Sequence, residues 1–193
     1  MAEYRDGRIK RLAAALKREG VAPDVSEQIM DGGEALTSHS EPDAMAAWFA
    51  GAMDRMDALV EADQRVAVRE RCACCLGGKR LQLSKAIGQA GGTVEERVAA
   101  ADAEPFVFGH SVAMQPDGRI RVEFQPSDWE SFRCSCIRAP GARMSATYCQ
   151  CCQGHVKRHL QFALGRHLRG WVRSSALSSG GKSPCSFDFE ILD

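Results

Sequence analysis

Gln115-Pro-Asp-Gly-Arg-Ile-Arg-Val-Glu-Phe124 is the stretch at which the hydrophobic pattern of this chain changes from helical to extended. Its first four residues predict a tight turn, because proline presets φ and glycine tolerates positive φ. The residues that follow alternate polar and apolar side chains, which is typical of a strand with one face in water. With a second extended segment over 106–115, the stretch predicts a β-hairpin.

The chain beyond the hairpin predicts a helix and a second pair of strands. A loop that contains cysteine leads to a helix over about 145–164, and Gly165 stands at the usual position of a C-cap. Strands are predicted at 167–177 and 184–192, joined by a segment rich in serine and glycine. The second half therefore predicts an antiparallel sheet of β-β-α-β-β order with a helix across it.

The chain before the hairpin predicts helices over residues 3–100. Two short helices are predicted over 8–18 and 24–36. A long helix follows from about residue 41, because its apolar residues recur at three- and four-residue steps. We expect this long helix to continue through Val66 to the first cysteines and to end at Gly77-Gly78.

Two further helices complete the helical half. One is predicted over 79–89, and Thr93-Val-Glu-Glu96 is a capping box that opens another, running to about Ala103. The predicted fold class is α+β, with a helical N-terminal half (residues 1–103) packed with the C-terminal antiparallel sheet (residues 104–193). We expect these two regions to share one core.

Composition and charge exclude several classes of protein. The 193 residues carry 25 Lys and Arg against 25 Asp and Glu, so the formal net charge is zero. Ordinary apolar content excludes a disordered chain, and no apolar run approaches the ~18 residues of a membrane-spanning helix. The N-terminus lacks the basic and apolar regions of a secretory signal. We therefore expect a cytoplasmic protein with no membrane partner, in a compartment that keeps thiols reduced.

The charge is unevenly distributed along the chain. Residues 131–187 contain no Asp or Glu, although nine Lys and Arg and three His lie there. This stretch is a solvated basic face, a source of cations that offset thiolate charge, or an attractor of an anionic ligand. Few aromatic residues interleave with the basic ones, which argues against nucleic acid as the partner.

Cysteine is the residue type that carries most of the functional information. Eight of the nine cysteines lie in three tight clusters: Cys72, Cys74 and Cys75; Cys134 and Cys136; and Cys149, Cys151 and Cys152. Closely spaced thiols in a reducing compartment more often bind metal than form disulfides. We predict all eight as candidate metal ligands.

Zinc is the metal that this pattern favours. A structural zinc site takes four thiolate or imidazole ligands, and Cys72/Cys75 and Cys149/Cys152 are both Cys-x-x-Cys pairs. An iron–sulfur cluster is the alternative, although the ferredoxin spacing is absent. Activation of one thiol by its cationic surroundings is also open. We do not predict His155 or His159 as ligands, and we expect Cys185 to be a packed core residue.

The C-terminal region resembles a known family. The segments that carry the resemblance are Tyr148-Cys-Gln-Cys-Cys-Gln-Gly-His-Val-Lys157, Ser175-Ala-Leu-Ser-Ser-Gly-Gly-Lys182 and Cys185-Ser-Phe-Asp-Phe-Glu-Ile191. Over about residues 130–192 the chain resembles an uncharacterised prokaryotic cysteine-rich family. That family is similar to 4-vinyl-reductase-type ligand-binding domains and to the L-2-amino-thiazoline-4-carboxylic acid hydrolase-like family. The resemblance implies an α+β domain with a small-molecule pocket beside a cysteine-rich metal site.

Three functions follow as hypotheses. The first is a binding or sensing module, in which a metal–thiolate site supports a pocket for an anionic or aromatic small molecule and the helical half carries partner contacts or forms a homodimer. The second is an enzyme, either a metal- or thiol-dependent hydrolase or a thiol redox enzyme; the sequence identifies no catalytic residue for it. The third is a protein that handles thiophilic metals, because soft thiolate ligands select soft metals.

Overall fold

The computed structural model describes residues 3–139 and 141–192, and its fold is α+β. The helices are α1 (Gly7–Arg18), α2 (Pro23–Met30), α3 (Pro42–Leu59), α4 (Ala62–Arg71), α5 (Gly78–Ala90), α6 (Val94–Asp102), α7 (Pro105–Phe108) and α8 (Gln150–Leu164). The strands are β1 (Ser111–Met114), β2 (Ile120–Glu123), β3 (His167–Ser174) and β4 (Ser186–Leu192). Short 3-10 helices lie at Gly33–Ala35 and Ala146–Cys149.

The four strands form one antiparallel sheet in the order β1-β2-β4-β3. The predicted turn between β1 and β2 is confirmed. The amide of Gln115 donates to the Arg119 carbonyl at 2.7 Å, and Gly118 adopts a φ of 81°. The predicted class and the helix between the two pairs of strands are likewise confirmed.

Helix α8 lies across one face of the sheet. Its residues Val156, Leu160 and Ala163 are buried with Phe187 and Phe189 of β4. The approach is close at β3, because a Cβ on Gly170 would meet the Phe189 ring at 2.5 Å. The other face of the sheet carries ion pairs, among them Arg121 with Asp188 at 2.9 Å.

The helical half packs along the length of α8, from α4 at its first turns to α5 and α6 at its last. The apolar stripe of α3 is buried as predicted, with Met45, Phe49, Ala52, Met53 and Met56 all in the core. Gly154 lets α4 approach α8 closely, because a Cβ there would meet the Glu70 Cα atom at 2.7 Å. Buried residues on α8 join both halves, since Cys151 packs with the helical cluster and Val156 with the sheet cluster.

Three predicted boundaries were wrong in the helical half and at its end. The long helix ends at Leu59, because Val60 is extended, and a separate helix α4 ends at Arg71 before the cysteines. The second helix stops at Met30, since Gly32 takes a left-handed φ of 73°. The first predicted strand begins only at Ser111, because Pro105 starts the short helix α7.

The prediction of no membrane partner has one structural counterpart. None of the helices in residues 3–139 and 141–192 combines the length and the apolar character needed to cross a bilayer.

Candidate thiol centre

Three segments bring the cysteines of the predicted site to one region. The first is the loop after α4, the second is the irregular segment between β2 and residue 145, and the third is the start of α8. The first loop is tightly turned, because Cys75 has a left-handed φ of 61°, the one such value at a non-glycine residue among those described. A positive φ is unusual for a residue that has a Cβ atom.

Four sulfurs from these three segments form a contact cluster, which we call the thiol cluster: Cys74, Cys134, Cys136 and Cys152. The Cys136 thiol lies at its centre, within hydrogen-bonding reach of the sulfurs of Cys134, Cys152 and Cys74. Residues separated by more than sixty positions along the chain therefore meet at Cys136. The structure brings at least one member of each predicted cysteine cluster into the same contact network.

Protonation within the thiol cluster is unequal. Hydrogen bonds with Cys134, Cys152 and Cys74 raise the pKa of the Cys136 thiol. The hydrogen bond to Cys136 is also the main reason why the pKa of Cys74 is lowered to about 5. The pKa values of Cys134 and Cys152 are lowered chiefly by the same partner. Within the cluster, the proton is therefore held most firmly on Cys136 and is released more readily from Cys74, Cys134 and Cys152.

The other predicted cysteines border this cluster or lie apart from it. Cys75 places its sulfur 3.8 Å from that of Cys74, and Cys151 is hydrogen-bonded to Cys152. Cys72 instead donates to the carbonyl of Val68 at 3.3 Å, and burial raises its pKa. The structure thus places Cys75 and Cys151 beside the thiol cluster and turns Cys72 back onto its own helix.

Cys149 belongs to a second, separate contact. Its sulfur lies 2.9 Å from the Ser175 hydroxyl and is hydrogen-bonded to Cys185. Cys185 is buried, as expected of a core residue, and its sulfur accepts from the Ala176 amide at 3.4 Å. This pairing has no signal in the sequence, because Cys185 stands alone in the chain among alternating aromatic residues.

A buried arginine lies beneath the thiols. Arg69 is 3% exposed, and its guanidinium donates to the carbonyls of Thr147 and Tyr148 at 3.3 and 2.9 Å. It also lies 4.9 Å from the centre of the Tyr148 ring. In the described part of the chain it forms no ion pair with a carboxylate.

The charges that face Arg69 are those of sulfur. Its guanidinium interacts electrostatically with the thiols of Cys151, Cys72 and Cys149. A buried cation is expensive unless an opposite charge compensates it. The sulfur that can supply such a charge is that of Cys152, whose pKa is lowered first by Cys136 and in part by Arg69. Sequence reasoning missed Arg69 because nothing in its neighbourhood marks it as buried.

Two histidines on α8 hold the loop that carries the first cysteines. His155 Nδ1 lies 3.0 Å from the Cys74 carbonyl oxygen, and His159 Nε2 lies 3.2 Å from that of Cys75. His159 is fixed from its other side by the Ser84 hydroxyl at 2.8 Å. Burial lowers the pKa of His159 to about 4, so the ring is neutral at pH 7. Both rings contact backbone carbonyls of the cysteines.

The cysteine side chains are not arranged around a common metal position in this structure. Within residues 3–139 and 141–192, no group of three or more Cys, His, Asp or Glu side chains is arranged so that it could hold a metal ion. The sulfurs of the thiol cluster contact one another in pairs around Cys136. All nine cysteines are free of disulfide bonds.

Two clefts adjoin the cysteine-bearing segments. A smaller cleft of about 380 Å³ opens beside Cys136 and is lined by Arg8, Arg138 and the hydroxyls of Ser38, Ser40 and Ser135. A larger groove of about 810 Å³ lies between α1, α4, α8 and the sheet edge, and it includes Leu76, which follows the first cysteine cluster. Both clefts are rich in arginine.

Two comparisons with known proteins, by family model and by curated sequence, found no match. No protein-family model matches it, and no curated protein shows significant sequence similarity to it. The thiol cluster and the two clefts are therefore the basis for a functional proposal.

Proposed function

We propose that this is a cysteine-rich metal-binding protein, with zinc as its first candidate metal, and that the metal–thiolate centre supports a small-molecule binding or sensing site. The observation that carries the proposal is the meeting of sulfurs from three distant segments at Cys136. An iron–sulfur cluster is the alternative inorganic group.

The donor set suits zinc. Four cysteine thiolates complete a structural zinc site, and thiolates are the ligands that soft and borderline metals prefer. The residues that would hold the ion are Cys74, Cys134, Cys136 and Cys152. Because these side chains now contact one another in pairs, binding would require their sulfurs to turn toward a common centre and Cys136 to release its proton. The bound ion would supply a structural cross-link among three segments.

The charge around the centre fits a thiolate site. Zinc with four thiolates carries a net charge of about −2, and a buried cation offsets part of that charge. Arg69 supplies such a cation without a carboxylate partner in the described residues. Arg11 adds a second positive charge, because its guanidinium acts electrostatically on Cys72, Cys74 and Cys75.

Elemental analysis tests the metal directly. The full chain is purified without oxygen and without added metal, and its metal content is measured together with its absorption spectrum. We expect about one equivalent of zinc per chain and no visible absorption. A brown protein that contains iron and sulfide would instead support the iron–sulfur cluster as the bound group. A purified chain that holds no metal, and takes up none when zinc is supplied, refutes the metal-binding proposal.

Two matched cysteine variants test the ligand assignment. Cys136→Ser removes the central sulfur of the thiol cluster and is expected to abolish retention of zinc. Cys72→Ser is the control, because its hydroxyl can keep the hydrogen bond to the Val68 carbonyl while the thiol is lost. Equal loss of zinc in both variants, with both still folded by circular dichroism, contradicts the assignment.

Thiol redox chemistry is the second candidate function, and one observation favours it. Cys74 is exposed and its sulfur contacts that of the less accessible Cys136. An accessible thiol beside a resolving thiol is the arrangement of redox-active cysteines. A peroxide would oxidise the Cys74 thiolate to a sulfenic acid, and Cys136 would then displace water to form a disulfide. The peroxide is reduced to water or an alcohol in the first step.

Peptide mapping separates the two functions. Metal-free protein treated with one equivalent of hydrogen peroxide and then digested should yield a Cys74–Cys136 disulfide if the pair is redox-active. Protection of this pair in the zinc-loaded protein would support the metal centre as the resident state. Oxidation spread evenly over all exposed thiols would count against a dedicated redox pair.

A further inference from the structure

The larger groove is strongly basic. Its walls carry five Lys and Arg side chains against two Glu: Arg11, Arg18, Arg71, Lys157 and Arg158 face Glu19 and Glu70. Two of the cations are already paired, Arg71 with Glu19 and Lys157 with Glu70. Across the described ranges, Arg11, Arg18 and Arg158 form no ion pair. The groove therefore presents three positive charges that no carboxylate pairs with in the described residues.

The size of the groove suits a small molecule. Its volume of about 810 Å³ lies in the range of about 300–1,000 Å³ typical of small-molecule sites. Small residues form part of its wall, namely Ala14 and Ala15 of α1 and Ala67 of α4. Leu76, Leu168 and Leu192 provide apolar surface in the same groove. A ligand that fits would combine an anionic group with an apolar or flat part.

Guanidinium groups favour one class of anion. Arginine binds both phosphate and carboxylate through two parallel hydrogen bonds. Phosphate has more acceptor oxygens and more negative charge than carboxylate, so it can engage several arginines at once. Arg11 and Arg18 lie on α1, whereas Arg158 lies on α8, so the cations approach from two walls of the groove. Guanidinium donors on two walls of one groove are suited to a phosphate or pyrophosphate group.

We propose that the groove between α1, α4 and α8 binds a small molecule bearing a phosphate or pyrophosphate group, held by Arg11, Arg18 and Arg158. The proposal deepens the small-molecule part of the proposed function, on which it rests, by naming the class of ligand and its place. The groove reaches the first cysteine cluster, because Leu76 follows Cys75 and Arg71 precedes Cys72. A ligand there contacts the loop that carries Cys74.

Calorimetric titration with inorganic pyrophosphate and with ADP tests the groove. The probes are titrated into the full chain at low and high sodium chloride. We expect saturable binding that weakens with salt, since the contacts are ionic. ADP is expected to bind more tightly than pyrophosphate, because its base and ribose add apolar contacts. Failure of both probes to bind at about 1 mM, a ligand concentration that detects weak sites, overturns the proposal.

A charge-matched pair of variants locates the binding. Arg158→Gln removes one cation from the groove, and Lys182→Gln removes one from an exposed loop outside it. We expect about tenfold weaker ADP binding in the first variant, from the loss of a charge-assisted hydrogen bond, and no change in the second. Equal weakening in both variants shows non-specific charge attraction and overturns the assignment to the groove.

A nucleic-acid arm and a metal measurement complete the design. A single-stranded oligonucleotide is titrated in parallel, and affinity equal to that of ADP per phosphate would overturn the small-molecule proposal in favour of backbone binding. Metal content is measured for every preparation. If the original chain retains zinc but does not bind ADP, the groove proposal is refuted and the metal proposal is not. If Cys136→Ser loses zinc but still binds ADP, the groove binds its ligand independently of the metal centre.

Discussion

Replacing Arg69 by methionine removes the buried positive charge beneath the thiols while keeping most of the side-chain bulk. The change deletes donations to the Thr147 and Tyr148 carbonyls at 3.3 and 2.9 Å and the contact with the Tyr148 ring. Each hydrogen bond from a charged donor contributes about 1.5–3 kcal/mol. Methionine also escapes the cost of desolvating a charge, which offsets much of that loss. We therefore expect a net loss of about 1–3 kcal/mol in the free energy of unfolding, from the carbonyl acceptors left without a donor.

The assay compares the loss with and without metal. Urea unfolding is measured for the original chain and for Arg69→Met, once with excess chelator and once with saturating zinc. If Arg69 offsets the charge of a zinc–thiolate centre, the loss is larger in the zinc-loaded protein, by on the order of 2 kcal/mol for opposite charges in a poorly solvated site. The affinity for zinc falls by the corresponding ratio, about thirtyfold.

Equal losses in the two conditions would refute the role of Arg69 as a counter-charge. The variant Arg69→Lys controls for charge, because lysine keeps the positive charge but cannot donate as the planar fork of arginine does. We expect it to recover most of the zinc affinity and only part of the stability. Recovery of stability without recovery of zinc affinity would contradict the electrostatic explanation.

Further predictions concern the packing of α8, the histidine contacts and the exposed thiol. Gly154→Ala forces α4 and α8 apart, because the new Cβ meets the Glu70 Cα at 2.7 Å; the net loss in unfolding free energy, measured in urea, is about 1–3 kcal/mol. The pKa of His159, lowered to about 4 by burial, lies below its unfolded value of about 6.5. The unfolded state therefore binds more protons between these values, and metal-free protein should lose stability as pH falls from about 6.5 to 4; His159→Gln, followed by thermal unfolding, should weaken that dependence. With its pKa lowered to about 5 by Cys136, Cys74 should react with iodoacetamide at pH 6 faster than Cys75, whose pKa is raised by burial; tandem mass spectrometry locates the label, and faster labelling of Cys75 would contradict the assigned charge distribution.

Local chemistry made the hairpin and the capped helices predictable. The turn at Gln115–Gly118 and the capping box at Thr93 depend on residues within four positions of one another, so the sequence contains all the necessary information. The break at Val60 was not predictable in this way, because the apolar pattern continues across it and packing alone selects the extended residue. The same ambiguity hid α7, whose apolar run Phe106-Val-Phe108 suits a strand equally well.

The candidate site was predictable as a set of residues and unpredictable as an arrangement. Clustering in the sequence identified the eight thiols. Which sulfurs meet depends on how loops and α8 are placed, so the centrality of Cys136 and the turning away of Cys72 follow only from tertiary structure. The Cys149–Cys185 contact and the burial of Arg69 have no local signature at all.

Helix α8 connects the thiol cluster, the basic groove and the sheet. Its 15 residues make a rod of about 22 Å at about 1.5 Å per residue, with sulfur at one end, Arg158 at mid-length and the first residues of β3 just beyond the other. At Gly154 α8 packs closely against α4. A small tilt of the first turn of α8 is therefore transmitted along the whole helix. A metal bound at the thiol cluster and a ligand bound in the groove would then affect each other's binding, because both move with α8 and the helix has no flexible break between them.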